Sequence, residues 1–247
     1  MNIQEKNILN VIYKTSKINQ RTIAEISGYS LGMVNKTIKS LVDNGYLSSG
    51  LDITSKTIDM IKNKMPQNAI ILAAGYGMRM VPINTEVPKG LIEINGEVLI
   101  ERIIRQLKEV GINKVYVVVG FMKERYEYLI DDYGVELIVN SEYKTKNNLH
   151  SLEKAIKYLG NSYVIPCDIW CKKNPFSKNE LYSWYMVTDM LDNDSTVHVN
   201  RKLELVRVPR LSDGNKMIGI SYLDNEVSQL VRTRIEEMCN NAVYDDE

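Results

Sequence analysis

"AIILAAGYGMRMVPINTEVPKG", residues 69–90, runs a buried-type apolar strand straight into two glycines, then sets Arg79, Pro82, Pro88 and Lys89 beyond them. Open α/β sheets bind ligands where the chain leaves the carboxyl end of a strand, and backbone N–H groups exposed by glycine suit phosphate oxygens. The spacing G-x-G-x-R-x-x-P-x5-P-K lacks the Gly-Lys-Ser/Thr of a P-loop. It also lacks the third glycine of a dinucleotide fingerprint, where Met80 stands instead, so ATPase and dehydrogenase readings lose ground. What remains is a phosphate site with Arg79 and Lys89 as its cations.

Outward from this turn, strand patterns alternate with amphipathic ones: "AIILAAG", a helix in "VLIERIIRQLKEVG", "KVYVVVG", a helix in "KERYEYLIDDYG", "VELIVN", a helix in "NLHSLEKAIKYLG" and "SYVIPCD". Near-continuous apolar strands separated by such helices imply a sheet covered on both faces, a Rossmann-like α/β/α sandwich. The later runs "YSWYMVT", "TVHVN", "ELVRV" and "MIGISYL" read as antiparallel, making the sheet mixed.

Upstream, three short helical patterns with Gly28 and Gly45 as stops and Ser30 as a cap precede "YLSSGLDIT", which reads as two short strands about a Ser-Gly turn. "NQRTIAEISGYSLGMVNKTIKSLVDNGYL" resembles the winged helix-turn-helix family. Residues 1–64 carry nine Lys/Arg against five Asp/Glu, a charge of +4 in a chain whose 31 basic and 31 acidic residues cancel. Asn35, Lys36 and Lys39 on the third helix read either as DNA contacts or as the solvated face of a docking module. Pro66 in "KNKMPQN" marks the linker, giving domains 1–64 and 68–247.

The composition, 44% hydrophobic and 25% charged, allows a sizeable core. No run approaches the about 20 apolar residues of a membrane span, so membrane insertion is not expected. Three cysteines, with only Cys167 and Cys171 close, complete no zinc pattern and fit a reducing cytoplasm.

"LAAGYGMRMVPINTEVPKGLIEINGEVLIERII" looks like the signature of nucleotidyltransferases that join a nucleoside triphosphate to a phosphorylated acceptor and release pyrophosphate. "VNSEYKTKNNLHSLEKA" and "SYVIPCDIW" are similar to the branch of licC-type CTP:phosphocholine cytidylyltransferases. The resemblance implies that Leu72, Ala73, Ala74, Gly75 and Gly77 hold CTP, that Arg79 and Lys89 contact its phosphates, and that Asp168 binds Mg2+. It implies CMP transfer to phosphocholine. A sugar-1-phosphate or 2-aminoethylphosphonate nucleotidyltransferase and a nucleotide-sensing, DNA-binding regulator are the alternatives.

Read from the residues themselves, Asp168 ends an apolar strand, where it is either a magnesium ligand or a turn-capping residue. Cys167 reads as a small buried residue, and His150 and His198 as structural or surface residues. Asn147 and Asn148 are placed to bond the nucleotide while capping a helix that begins at Leu149. A quaternary ammonium acceptor needs aromatic faces, for which Trp170, Trp184, Tyr185 and Tyr222 are the candidates. The licC-type enzymes carry a tryptophan after the long acceptor loop, and "DNDSTVHVN" has none, which weakens choline but not cytidylyl transfer. The same family places a second metal-binding carboxylate after the last helix, a few residues past Glu247. The chain therefore reads as truncated, with Asp245 and Asp246 as substitutes at best.

Overall fold

The computed structural model describes residues 1–15, 18–77, 86–193, 195, 197–200, 204–207, 213–241 and 244. The chain divides into two compact units, residues 1–65 with 187–217 and residues 66–186 with 218–247.

In the first unit α1 (Ile3–Lys14), α2 (Gln20–Ser27) and α3 (Leu31–Asp43) pack pairwise. Each start is chemically specified. Asn2 and Glu5 form a reciprocal capping box, Asn19 accepts from the amides of Arg21 and Thr22, and Ser30 accepts from that of Met33. Ile8, Leu9, Ile23, Val34 and Leu41 are among the buried residues of this bundle. The expected two-stranded wing is reduced to a single antiparallel bridge, Leu47 to Ile53. Ser48 Oγ accepts from the amides of Gly50 and Asp52, and Leu51 adopts φ +67°, so a side-chain-bonded turn replaces the strand ladder. A further helix, α4 (Ser55–Asn63), follows, seated by the fully buried Thr57, whose hydroxyl donates to Tyr46 O at 2.7 Å.

The second unit is built on β1 (Asn68–Ala73), followed by the small hairpin β2 (Glu93–Ile94) and β3 (Glu97–Val98) and by α5 (Leu99–Glu109). After these come β4 (Val115–Val119), α6 (Tyr128–Tyr133), β5 (Glu136–Val139), α7 (Asn148–Lys154) and β6 (Ser162–Pro166). Later in the chain come β7 (Trp184–Asp192), the antiparallel pair β8 (Val197–Val199) and β9 (Leu205–Arg207), β10 (Gly214–Leu223) and α8 (Asn225–Cys239), of which β8, β9, most of β7 and the start of β10 fall in residues 187–217, counted with the first unit. The main sheet has the order β5-β4-β1-β6-β10-β7; the first four strands are parallel and β10 runs antiparallel to β6.

The period-2 alternation of β1 divides its side chains between two cores. Ala69, Ile71 and Ala73 face the cluster containing Ile100, Ile103, Ile104 and Leu107 of α5. Ile70 faces the opposite cluster with Val118, Val164, Ala155 and Leu159. This is the α/β/α sandwich with a mixed sheet that the apolar strands imply.

Candidate active site

The chain passes from β1 outward through β4 to β5, then returns by α7 to place β6 on the other side of β1. The direction of winding therefore reverses between β1 and β6, and the crevice beyond their carboxyl ends is where this architecture accepts ligands. The glycine turn leaves one side of that switch point and Asp168 the other. Cys167 N donates to Leu72 O at 3.2 Å, which ties the two strand ends together.

Around the turn, Ala73 and Ala74 are buried, Leu72 is partly buried, and Gly75 and Tyr76 are exposed. A Cβ on Gly75 would meet nothing within 4 Å. Gly77 is different: its φ is +73°, and a Cβ there would stand 2.8 and 2.9 Å from Cγ and Cδ of Lys89. The side chain of Lys89, on a short 3₁₀ turn entered through Pro88, thus lies directly over Gly77. Its Nζ donates to Asp168 Oδ2 at 3.1 Å. The structure unites Gly77, Lys89 and Asp168. With 24% and 34% of these side chains exposed, the ion pair contributes only about 0–1 kcal/mol. A triphosphate can therefore open it at little cost.

The Lys89 turn approaches the end of β6 closely because Gly90 has no side chain. A Cβ there would lie 3.1 Å from Cβ of Cys167 and 3.2 Å from the Tyr126 hydroxyl. Burial, followed by the charge of Asp168, pushes the Cys167 thiol up to about 12. Cys167 is buried against Gly90, the small buried residue that its sequence position suggested. His150 is fully buried on α7, and His198 is exposed on β8.

Several expected residues are placed differently. α7 begins at Asn148, one residue early, and the Asn147 side chain makes no capping bond. Both asparagines are exposed. The four aromatic candidates do not form a common box. Tyr222 is fully buried in the core, 5.4 Å from the Tyr163 ring, because the alternation of β10 turns it inward. Trp184 packs on the same tyrosine at 6.0 Å, Tyr185 is partly buried, and Trp170 lies beneath the guanidinium of Arg102 at 4.8 Å. Arg79, Asp245 and Asp246 lie outside the described residues. In the first unit Asn35, Lys36 and Lys39 are all exposed on α3, away from its buried Val34, Ile38 and Leu41.

Sequence reading missed an aromatic group beside the glycine turn. Tyr76 meets Phe121 edge-on at 4.4 Å, and Phe121 lies 6.4 Å from Tyr143. Phe121 N donates to Ala74 O at 3.1 Å, so the group is anchored to the turn itself. Its three members are spread over 68 residues of sequence and carry no local pattern.

Among the described residues no cluster of three or more His, Cys, Asp or Glu side chains is arranged to hold a metal ion. Asp168 alone fits the needs of Mg2+ when substrate phosphates complete the shell, since this ion commonly takes one or two carboxylates plus phosphate oxygens.

Residues 69–177 match the MobA-like NTP transferase domain, and residues 1–48 match the winged helix-turn-helix DNA-binding family. A 2-aminoethylphosphonate cytidylyltransferase of Lancefieldella rimae is 41% identical over 167 residues, covering 65% of this chain and 68% of that protein. The chain belongs to the nucleotidyltransferase family, in its cytidylyltransferase branch. The solved CTP:phosphocholine cytidylyltransferase of Streptococcus pneumoniae superposes with a TM-score of 0.67 at 32% identity, covering 74% of this chain and 81% of that one. A choline-phosphate cytidylyltransferase of the same species is 44% identical over 117 residues, 47% of this chain; that match spans about half, 51%, of the relative's length. This nucleotidyltransferase carries a winged-helix region at its N-terminus, and among its described residues no helix is long and apolar enough to cross a membrane.

Proposed function

We propose that the protein transfers CMP from CTP to phosphocholine or a closely related phospho-amine, releasing pyrophosphate, with Mg2+ as the metal. The observation that carries this reading is the Lys89–Asp168 pair lying over Gly77 at the switch point of a cytidylyltransferase-type sheet. A phosphate oxygen of the acceptor attacks the α-phosphorus of CTP, and the bond from that phosphorus to the bridging oxygen of the β-phosphate breaks. The acceptor is largely a dianion at neutral pH, its second pKa being about 6, so no protein base is required. Negative charge grows on the equatorial and departing oxygens, and fixed cations placed there lower the barrier. Lys89 and Arg79 fill that role, while the turn from Leu72 to Gly77 and the exposed Asn147 and Asn148 bind the nucleotide. The rings of Tyr76, Phe121 and Tyr143 offer the pyrimidine an apolar wall. Asp168 would hold Mg2+, which supplies further positive charge to the phosphates when bound.

A second acceptor, 2-aminoethylphosphonate, is favoured by two observations. In sequence alignment the Lancefieldella relative matches over 167 residues against 117 for the pneumococcal choline-phosphate cytidylyltransferase. The buried Tyr222 and covered Trp170 also leave no four-ring cage, which a primary amine does not need. Of the expected aromatics, Trp184 and Tyr185 remain as acceptor contacts. Residues 1–64 act as a separate domain that binds DNA through Asn35, Lys36 and Lys39, and residues 68–247 carry the transfer in a reducing cytoplasm. Pyrophosphate release, measured with four nucleoside triphosphates against phosphocholine, phosphoethanolamine, 2-aminoethylphosphonate and hexose 1-phosphates, tests the reading. Release with none of them, alongside specific duplex binding, would instead identify a nucleotide-sensing regulator.

A further inference from the structure

We infer that Arg102 is a positioning residue whose single guanidinium holds the Lys89 segment and the Asp168 segment in register; the inference rests on the nucleotidyl-transfer reading above. Arg102 sits on α5 and touches neither charge. Its Nη1 binds the carboxylate of Glu97, in the β2–β3 hairpin that follows the Lys89 turn, and Arg105 holds the other oxygen of Glu97 at 2.8 Å. Its remaining donors reach the chain that leaves Asp168. Nε and Nη2 donate to Cys171 O at 3.1 and 2.7 Å, and Nη2 donates to Lys172 O at 3.1 Å. Gln106, one turn along the same helix, adds a bond to Cys171 O at 3.2 Å. The guanidinium also covers the ring of Trp170.

Residues 169–180 have no helix or strand of their own, and the carbonyls of Cys171 and Lys172 take their bonds from α5 rather than from a ladder or a helical turn. A planar fork with five donors in fixed directions bonds two carbonyls and a carboxylate as one pre-organised unit, whereas an ammonium has three donors on a flexible stem and fixes no such geometry. The consequence is geometric. Lys89 precedes the hairpin by a few residues and Asp168 precedes Cys171 by three, so a guanidinium that fixes Glu97 against Cys171 and Lys172 limits how far the two charges drift apart. Displacement of about 1 Å in such a constellation costs up to roughly a hundredfold in rate.

The test compares Arg102→Gln and Arg102→Lys in the full chain, with circular dichroism to establish folding. Two quantities are read: kcat and KM for CTP, and the rate of tryptic cleavage after the exposed Lys172 and Lys173. Arg102→Gln is expected to lower kcat by about 10- to 100-fold with KM for CTP within about threefold, and to speed that cleavage several-fold. Arg102→Lys, which keeps the charge and loses the fork, falls between the two. Wild-type kcat in Arg102→Gln, a loss confined to KM, or lost kcat with unchanged cleavage overturns the inference. Should Arg102→Gln not fold, Arg102→Lys indistinguishable from wild type in both measurements does so. Wild-type protein that releases no pyrophosphate with any acceptor refutes the transfer reading instead. In that case unchanged cleavage in the folded variant still sinks the clamp on its own.

Discussion

Replacing Gly77 by alanine tests the site at its tightest point. The residue has φ +73°, a left-handed conformation that costs an L-residue about 1–2 kcal/mol. The added methyl would also fall 2.8 and 2.9 Å from Lys89 Cγ and Cδ, inside van der Waals contact, so the lysine stem must give way. Because Lys89 is a flexible side chain bonded to Asp168 at 3.1 Å and only a quarter exposed, the relief is movement of its ammonium away from the switch point, not collapse of the sheet. The backbone cost alone translates to a fall in Tm of about 2–8 °C for a unit of this size. Loss of one preorganised cation adds roughly a hundredfold reduction in turnover, about 2.7 kcal/mol. Gly75→Ala is the control, because its methyl meets nothing within 4 Å and no positive φ is required; it should keep the wild-type Tm. Thermal unfolding by circular dichroism and coupled pyrophosphate release read both variants. A Gly77→Ala protein with unchanged Tm and turnover would refute the argument that Lys89 is stationed over this glycine.

Lys89→Ala and Asp168→Asn should each lower turnover at least about a hundredfold while the folded secondary structure persists, and a folded variant with near-normal pyrophosphate release would end the assignment. Burial pushes the Cys167 thiol up to about 12, so it stays protonated at pH 8 and escapes iodoacetamide in the native protein while reacting in urea; equal labelling in both states, read by mass spectrometry, contradicts this. Tyr222→Phe should leave the KM for the acceptor within about twofold, since the ring is core, and a larger rise would return the residue to the acceptor site. Lys36→Ala and Lys39→Ala should each reduce the salt dependence of duplex DNA binding by about one unit of slope in fluorescence titration; an unchanged slope favours a docking role for the winged helix.

Sequence alone determined the layered sheet, because apolar strands such as "KVYVVVG" and amphipathic helices such as "VLIERIIRQLKEVG" express local periodicities that survive any detail of packing. It also supplied the glycine turn, Lys89 and Asp168 as candidates, each at a strand end or turn. Short elements escaped it. The β2–β3 hairpin has only two residues in each strand, although Asn95 and Gly96, both at positive φ, form the kind of turn that favours such a hairpin. The nine-residue α4 leaves Ile58 exposed, which blurs its periodicity. Tertiary structure decided how deeply each aromatic lies, since Tyr222 and Trp184 look alike on paper, yet both pack on Tyr163 and only Tyr222 is fully buried. Structure also revealed that Lys89, 12 residues beyond Gly77, lies on top of it and reaches Asp168, 79 residues further along the chain. No local pattern records such a meeting, because it is made by the parallel ladder that sets β1 beside β6 and by one missing Cβ at Gly90, which lets the turn approach.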